Sequence, residues 1–165
     1  MKPGKIYIDN NLLIRWFLHR FYPRKHKREP QIIRFLSEHK EIKKYISLIS
    51  VAELVHTLKY GKEFQNFKLD LNYIRVLIEE LQNIVGFDII QKQKVNGMEI
   101  NGIVISGDVV KFVNVHEHLI DCMHIDIAKS HELFFITHEK KIGQLKKLYE
   151  NIMTDDKLLK QFKNH

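Results

Sequence analysis

The stretch "KIYIDNNLLIRWF", Lys5–Phe17, changes its period in the middle. Lys5–Ile8 is a short β-type run, after which Leu12, Leu13, Trp16 and Phe17 recur at helical spacing. Asp9 stands at the junction. The same change recurs twice along the chain. "KYISLIS" runs into "VAELVHTLKY", a helical pattern that stops at Gly61, and "LFFIT" runs into "EKKIGQLKKLYENI". "GFDII", Gly86–Ile90, reads as a further strand, and the segment before it carries Ile74, Leu77, Ile78, Leu81 and Ile84 on one helix face. Strands that alternate with helices predict βαβ units, right-handed crossovers and a mainly parallel twisted sheet, hence an α/β fold.

The remaining segments fit around that frame. Pro30 opens a short helix marked by Ile32, Ile33 and Leu36. Asn96-Gly97 and Asn101-Gly102 are hairpin-turn signals, so a small β-hairpin excursion is expected near 92–105. Ser106 is placed to cap the helix that follows. "EHLIDCMHIDIAKSHE" continues helically, with Ile120, Met123 or His124, and Ile127 on a shared face, and "DDKLLKQF" closes the chain with a helix. Nothing reads as a linker or a repeat, so residues 1–165 are expected to form one domain.

The 165 residues suffice for a real core, and no apolar run approaches the roughly 20 residues of a membrane span. The opening "MKPGKIYIDN" has too short an apolar stretch for a signal peptide. Cys122 is the only cysteine, which excludes an internal disulfide and argues against a cysteine zinc cluster. A cytoplasmic protein is the expectation. The formal net charge is +7, and Arg20, Arg24, Lys25, Lys27 and Arg28 crowd one short stretch with His19 and His26. That stretch is either a solvated basic loop or an edge that touches phosphates; Tyr22 and Phe21 add a possible stacking surface there, Phe21 fitting the core as well.

Carboxylates fall at the element junctions. Asp9 follows the first strand, Glu53 lies in the first turn after "KYISLIS", and Glu139 follows "LFFIT". In a parallel sheet such positions share the carboxyl edge, and Asp121, on the helix before the last of these strands, is within reach of it. Each acid also has a plainer reading. Asp9 can cap a helix, Ser50 and Glu53 form a possible capping box, Thr137 can cap the helix after it, and Asp121 can be a surface charge. Converging carboxylates repel unless a cation lies between them, and oxygen ligands without cysteine favour Mg²⁺ or Mn²⁺. A metal so held activates water and offsets charge on a phosphate, which is nuclease chemistry beside a basic surface.

"YIDNNLL", "ISVAEL", "LIDCMHIDIA" and "LFFITHEKKI" resemble, in order, the four motifs of PIN domains. These are metal-dependent nucleases that include the VapC-type toxins of toxin–antitoxin pairs. Asp9 and Asn11 match the first motif, and Ser50 and Glu53 the second. Asp121, His124 and Ala128 match the third, and Thr137 the fourth, where Glu139 replaces the family's Asp. The resemblance spans Lys5 to about Leu148 and implies a three-layer α/β/α sandwich. It implies Mg²⁺- or Mn²⁺-dependent hydrolysis of RNA. Asp9 and Asp121 would bind the metal directly or nearly so. Glu53 and Glu139 would act through water, orient the attacking water or hold a second ion. Asn11 and Thr137 would support them by hydrogen bonds. Arg24, Lys25, Lys27 and Arg28 are the candidate substrate contacts. An antitoxin protein and a homodimer are the implied partners. The alternative is a non-catalytic PIN-like module that binds RNA or protein.

Other polar residues are assigned plainer roles. His116 and His118 of "HEH" sit two apart on a helix and face different ways. His124 packs or hydrogen-bonds along its helix. His138 is exposed beside the site, Asp126 lies on the surface, and Asp88 either pairs in a strand or faces solvent.

Overall fold

The first strand, β1 (Lys5–Ile8), ends up at the centre of a five-stranded sheet because each face of it is apolar. The computed structural model describes residues 2–95, 98–102, 105–114, 118–139 and 142–163. After β1 come α1 (Asn10–Phe21) and α2 (Gln31–Glu38), then β2 (Lys43–Ser47). Next are α3 (Leu48–Tyr60), a 3₁₀ turn at Gln65–Phe67, α4 (Leu71–Val85) and β3 (Phe87–Ile90). A ribbon of β4 (Lys92–Val95) and β5 (Met98–Asn101) leads to α5 (Gly107–Val113) and α6 (Leu119–Ser130). The chain then forms β6 (Phe134–Thr137), α7 (Ile142–Leu145), β7 (Ile152–Thr154) and α8 (Asp155–Lys163). No helix among the described residues is long and apolar enough to cross a membrane.

The sheet order is β3-β2-β1-β6-β7, with every pair parallel. All five carboxyl ends therefore lie on one edge. The chain runs outward from β1 in one direction and then restarts at β6 on its other side, so the order reverses at β1/β6. Alternation along the strands builds the layers. Ile6, Ile8, Ile46, Phe87, Ile136 and Met153 face one core, packed with α1, α2, α3, α4 and α8. Tyr7, Phe135 and Ile152 face the other, with α5, α6 and α7. The fold is the expected α/β/α sandwich.

Three local expectations change. The strand in "KYISLIS" stops at Ser47, because Ser47 caps α3: its Oγ accepts from Ser50 N–H, and Ser50 Oγ accepts from Ser47 N–H, both at 3.3 Å. The capping box is thus Ser47 with Ser50 rather than Ser50 with Glu53. Glu53 sits a turn deeper and is released from capping. The second change is β7. The spacing of Ile142, Leu145, Leu148, Tyr149 and Ile152 imitates a helix, but α7 closes after one turn and Ile152–Thr154 joins the edge of β6. The third is the Asn-Gly pair at 101–102. There Gly102, at φ +89°, turns its N–H back to Gln91 O at 3.2 Å and closes the β4–β5 ribbon, and residues 103 and 104 lie outside the described residues. The turn expected at Asn96-Gly97 and the "HEH" residues His116 and Glu117 lie outside the described residues.

Asp126 corrects a further expectation. It is buried, not superficial, and its Oδ2 accepts from Gln93 Nε2 at 2.7 Å and from Ser106 Oγ at 2.9 Å. The carboxylate fastens the β4–β5 ribbon and the start of α5 to α6. Asp88 is exposed.

Candidate active site

Asp9 leaves β1 at the reversal point, where its N–H donates to Ile136 O at 3.0 Å. It occupies the cap position of α1 but makes no side-chain capping bond. Its Oδ2 instead accepts a 2.6 Å hydrogen bond from Thr137 Oγ1, at the end of β6. Asn11 Nδ2 and Glu139 N–H both donate to that same Thr137 oxygen, at 3.0 and 3.1 Å. The threonine hydroxyl is thereby saturated as one donor and two acceptors, which rigidly couples β1 to β6. Asn11 Oδ1 also accepts from His138 N–H at 3.2 Å. Thr137 is thus a bridge and not the cap of a following helix.

A second chain of bonds holds Glu53. Its Oε2 accepts from Asn10 Nδ2 at 2.6 Å and from His124 Nε2 at 2.7 Å. His124 Nδ1 is linked to Tyr7 Oη at 2.7 Å, and Tyr7 reaches Ser47 Oγ at 2.7 Å and Ser50 Oγ at 3.0 Å. His124 and Tyr7 are buried, so this network is shielded and specific in geometry. From α6, His124 spans to α3 and β1. Sequence position does not single out Asn10, although it neighbours both Asp9 and Asn11. Its Oδ1 is buried and has no hydrogen-bond partner.

Asp9, Glu53, Asp121 and Glu139 all line one cleft of about 280 Å³ at the carboxyl edge of the sheet, together with Asn10, Asn11, His124 and Thr137. Four acids from four separate stretches of sequence share this opening. Burial pushes the Asp9 carboxyl up to about 6; the Thr137 hydrogen bond and His124 oppose that, while Asp121 and Glu53 add to it. Burial also raises the Tyr7 hydroxyl well above its ordinary range, keeping it neutral.

The oxygen-rich donor set suits a hard cation, and the unpartnered Asn10 Oδ1 is one more oxygen beside the carboxylates. Among the described residues no group of three or more His, Cys, Asp or Glu side chains is placed to hold a metal ion. Mg²⁺ does not require such a group: it keeps several waters and uses one or two carboxylates with substrate phosphates. Cys122 is buried in the α6 core and is absent from the cleft lining.

His138, expected to be exposed, is half-exposed and held: its Nδ1 is 3.1 Å from the Asp155 carboxylate and 3.2 Å from Arg15. Arg24, Lys25, Lys27 and Arg28 are exposed in the loop after α1 and are not among the residues lining the acid cleft.

No family model matches the chain, and no curated protein matches it. Among solved structures it is similar to the VapBC2 complex from Rickettsia felis bound to a DNA fragment from its promoter. The TM-score is 0.49 and the identity 12%, over 91% of this chain and 96% of that one. At that level the likeness carries no weight for function.

Proposed function

We propose that the chain is a Mg²⁺- or Mn²⁺-dependent endoribonuclease that hydrolyses RNA phosphodiester bonds. The observation that carries the reading is the convergence of Asp9, Glu53, Asp121 and Glu139 on one cleft at the carboxyl edge of a parallel sheet. The ordered motif resemblance to PIN domains supplies the substrate class. Asp9 and Asp121 would hold the metal, with Glu53 and Glu139 acting through water. When bound, the ion would lower the pKa of a water and offset charge on the scissile phosphate.

The chain's own residues prepare that chemistry. Asn10 and His124 fix one Glu53 oxygen, so the carboxylate presents a defined orientation to the cleft. Thr137 fixes Asp9, and Asn11 fixes Thr137. A toxin role, with an antitoxin protein as partner and a homodimer as the assembly, follows from the same resemblance.

Cleavage of single-stranded RNA in Mg²⁺ tests the reading. The wild-type chain is expected to cut, and Asp9→Asn and Asp121→Asn each to lose at least about 100-fold. Equal rates in all three proteins would overturn the assignment. RNA binding with no cleavage by the wild type would favour the non-catalytic module, with Glu139 in place of Asp as the first suspect.

A further inference from the structure

A second depression of about 200 Å³ lies along α1 from the acid cleft, lined by Arg15, Leu18, His19, His26, Lys27, Arg28 and Pro30. The loop builds it by curling back: Lys25 and His26 N–H both donate to Tyr22 O, at 3.0 and 2.8 Å. His19 Nδ1–H then donates to His26 O at 2.5 Å and pins the loop to the helix. That fold turns Lys27 and Arg28 toward the depression, while Arg24 and Lys25 are exposed on the turn and are not among its lining residues.

Arg15 joins the two sites. It pairs with the buried Asp155 at 3.0 Å and contacts His138, the residue before Glu139. On α1, Asn11, Arg15 and His19 follow one another at four-residue steps and so share a face. Asn11 belongs to the acid cleft and His19 to the basic depression, about 12 Å further along the helix axis. Lys27 and Arg28 form no ion pair with an acid among the described residues, unlike Arg15. Two unneutralised cations beside a third that a carboxylate holds in place form a receptor for a phosphodiester anion.

We propose that this depression is a phosphate subsite for the RNA backbone, taking a phosphate that flanks the scissile one. The assignment rests on the ribonuclease reading. It narrows the basic loop to Lys27 and Arg28, adds Arg15, and leaves Arg24 and Lys25 as bystanders. α1 sets the distance between the bound phosphate and the acid cleft.

The probe is a short fluorescein-labelled single-stranded RNA of mixed sequence, followed by anisotropy against Asp9→Asn protein across a salt series. In that background Lys27→Ala/Arg28→Ala is expected to weaken binding about tenfold or more near 0.1 M salt. It should also flatten the log–log salt slope by about 0.7 for each phosphate that is no longer neutralised. Arg24→Ala/Lys25→Ala should weaken binding less than about threefold. Both pairs are exposed, so melting temperatures should stay unchanged and separate a binding loss from misfolding. Equal losses from the two pairs, or no loss from Lys27→Ala/Arg28→Ala, would overturn the subsite. Cleavage of the same RNA by the wild type with Mg²⁺ separates the two ideas. Cleavage without dependence on Lys27 and Arg28 sinks the subsite alone. Binding that depends on them without cleavage keeps an RNA-phosphate site in the depression but sinks the nuclease, and with it the site's place beside a scissile phosphate.

Discussion

Asp9 and Asp126 are both carboxylates that burial pushes toward the protonated form, yet their surroundings differ in kind. Asp126 sits between two neutral donors, Gln93 and Ser106, that bring a ribbon and a helix to it, while the charges of Asp108 and Lys129 act on it in opposite directions. Asp9 has Thr137 as donor and is further raised by two other acids, Asp121 and Glu53. The first arrangement is closed and fastens structure. The second opens on a cleft that three further acids line. A raised carboxylate is therefore not by itself a mark of function; the sign of its neighbours and its access to solvent decide.

Removing the charge separates the two most strongly. In metal-free buffer, Asp9→Asn should be more stable than wild type at pH 7, because the raised Asp9 pKa penalises the ionised form. The wild-type contribution from this group is full below about pH 4 and is lost as pH rises through about 6. The stability difference between variant and wild type should thus grow from near zero at about pH 4 to between about 1 and 3 kcal/mol above about pH 6.5. Chemical denaturation at a series of pH values measures it. A difference that shrinks as pH rises would contradict the assignment of strain to this carboxylate.

Asp126→Ala should act in the opposite direction, costing about 2 kcal/mol, because Gln93 and Ser106 lose their acceptor. Asp126→Asn, which keeps an acceptor oxygen, should leave RNA cleavage within about threefold of wild type. A loss of cleavage in Asp126→Asn comparable to that of Asp9→Asn would erase the contrast between the two sites.

These two aspartates also show what a sequence carries and what it withholds. The change of period around Asp9, Ser47 and Thr137 is enough to place β1, β2 and β6 and to predict a parallel sheet, so three acids can be assigned to one edge from the sequence. Asp126 reads wrongly as a surface residue because its partners, Gln93 and Ser106, come from segments whose packing has no periodic signature. β7 is hidden by an accidental helical spacing from Ile142 to Ile152, which only a neighbouring strand resolves. The buried network from Tyr7 through His124 to Glu53 is also unreadable. Tyr7 looks like one more apolar strand residue until β1 is set between α3 and α6.

Thr137 tests one support of the cleft. Thr137→Val keeps the β-branched shape but removes the donor to Asp9 and the acceptor for Asn11 and Glu139. Cleavage should fall about tenfold, in line with loss of a hydrogen bond to a charged group. Asn11→Ala should be largely non-additive with it, since both act through the same oxygen. Fully additive losses would place Asn11 on a separate route to the cleft.

That the four acids form one cation site is the central claim. A crystal of the wild-type chain soaked in Mn²⁺ tests it most directly, through the anomalous signal of the ion. The expected result is a peak inside the cleft in contact with Asp9 or Asp121, and no such peak in Asp9→Asn crystals treated alike. A cleft that stays empty while Mn²⁺ binds elsewhere, or a peak that Asp9→Asn leaves unchanged, would contradict it.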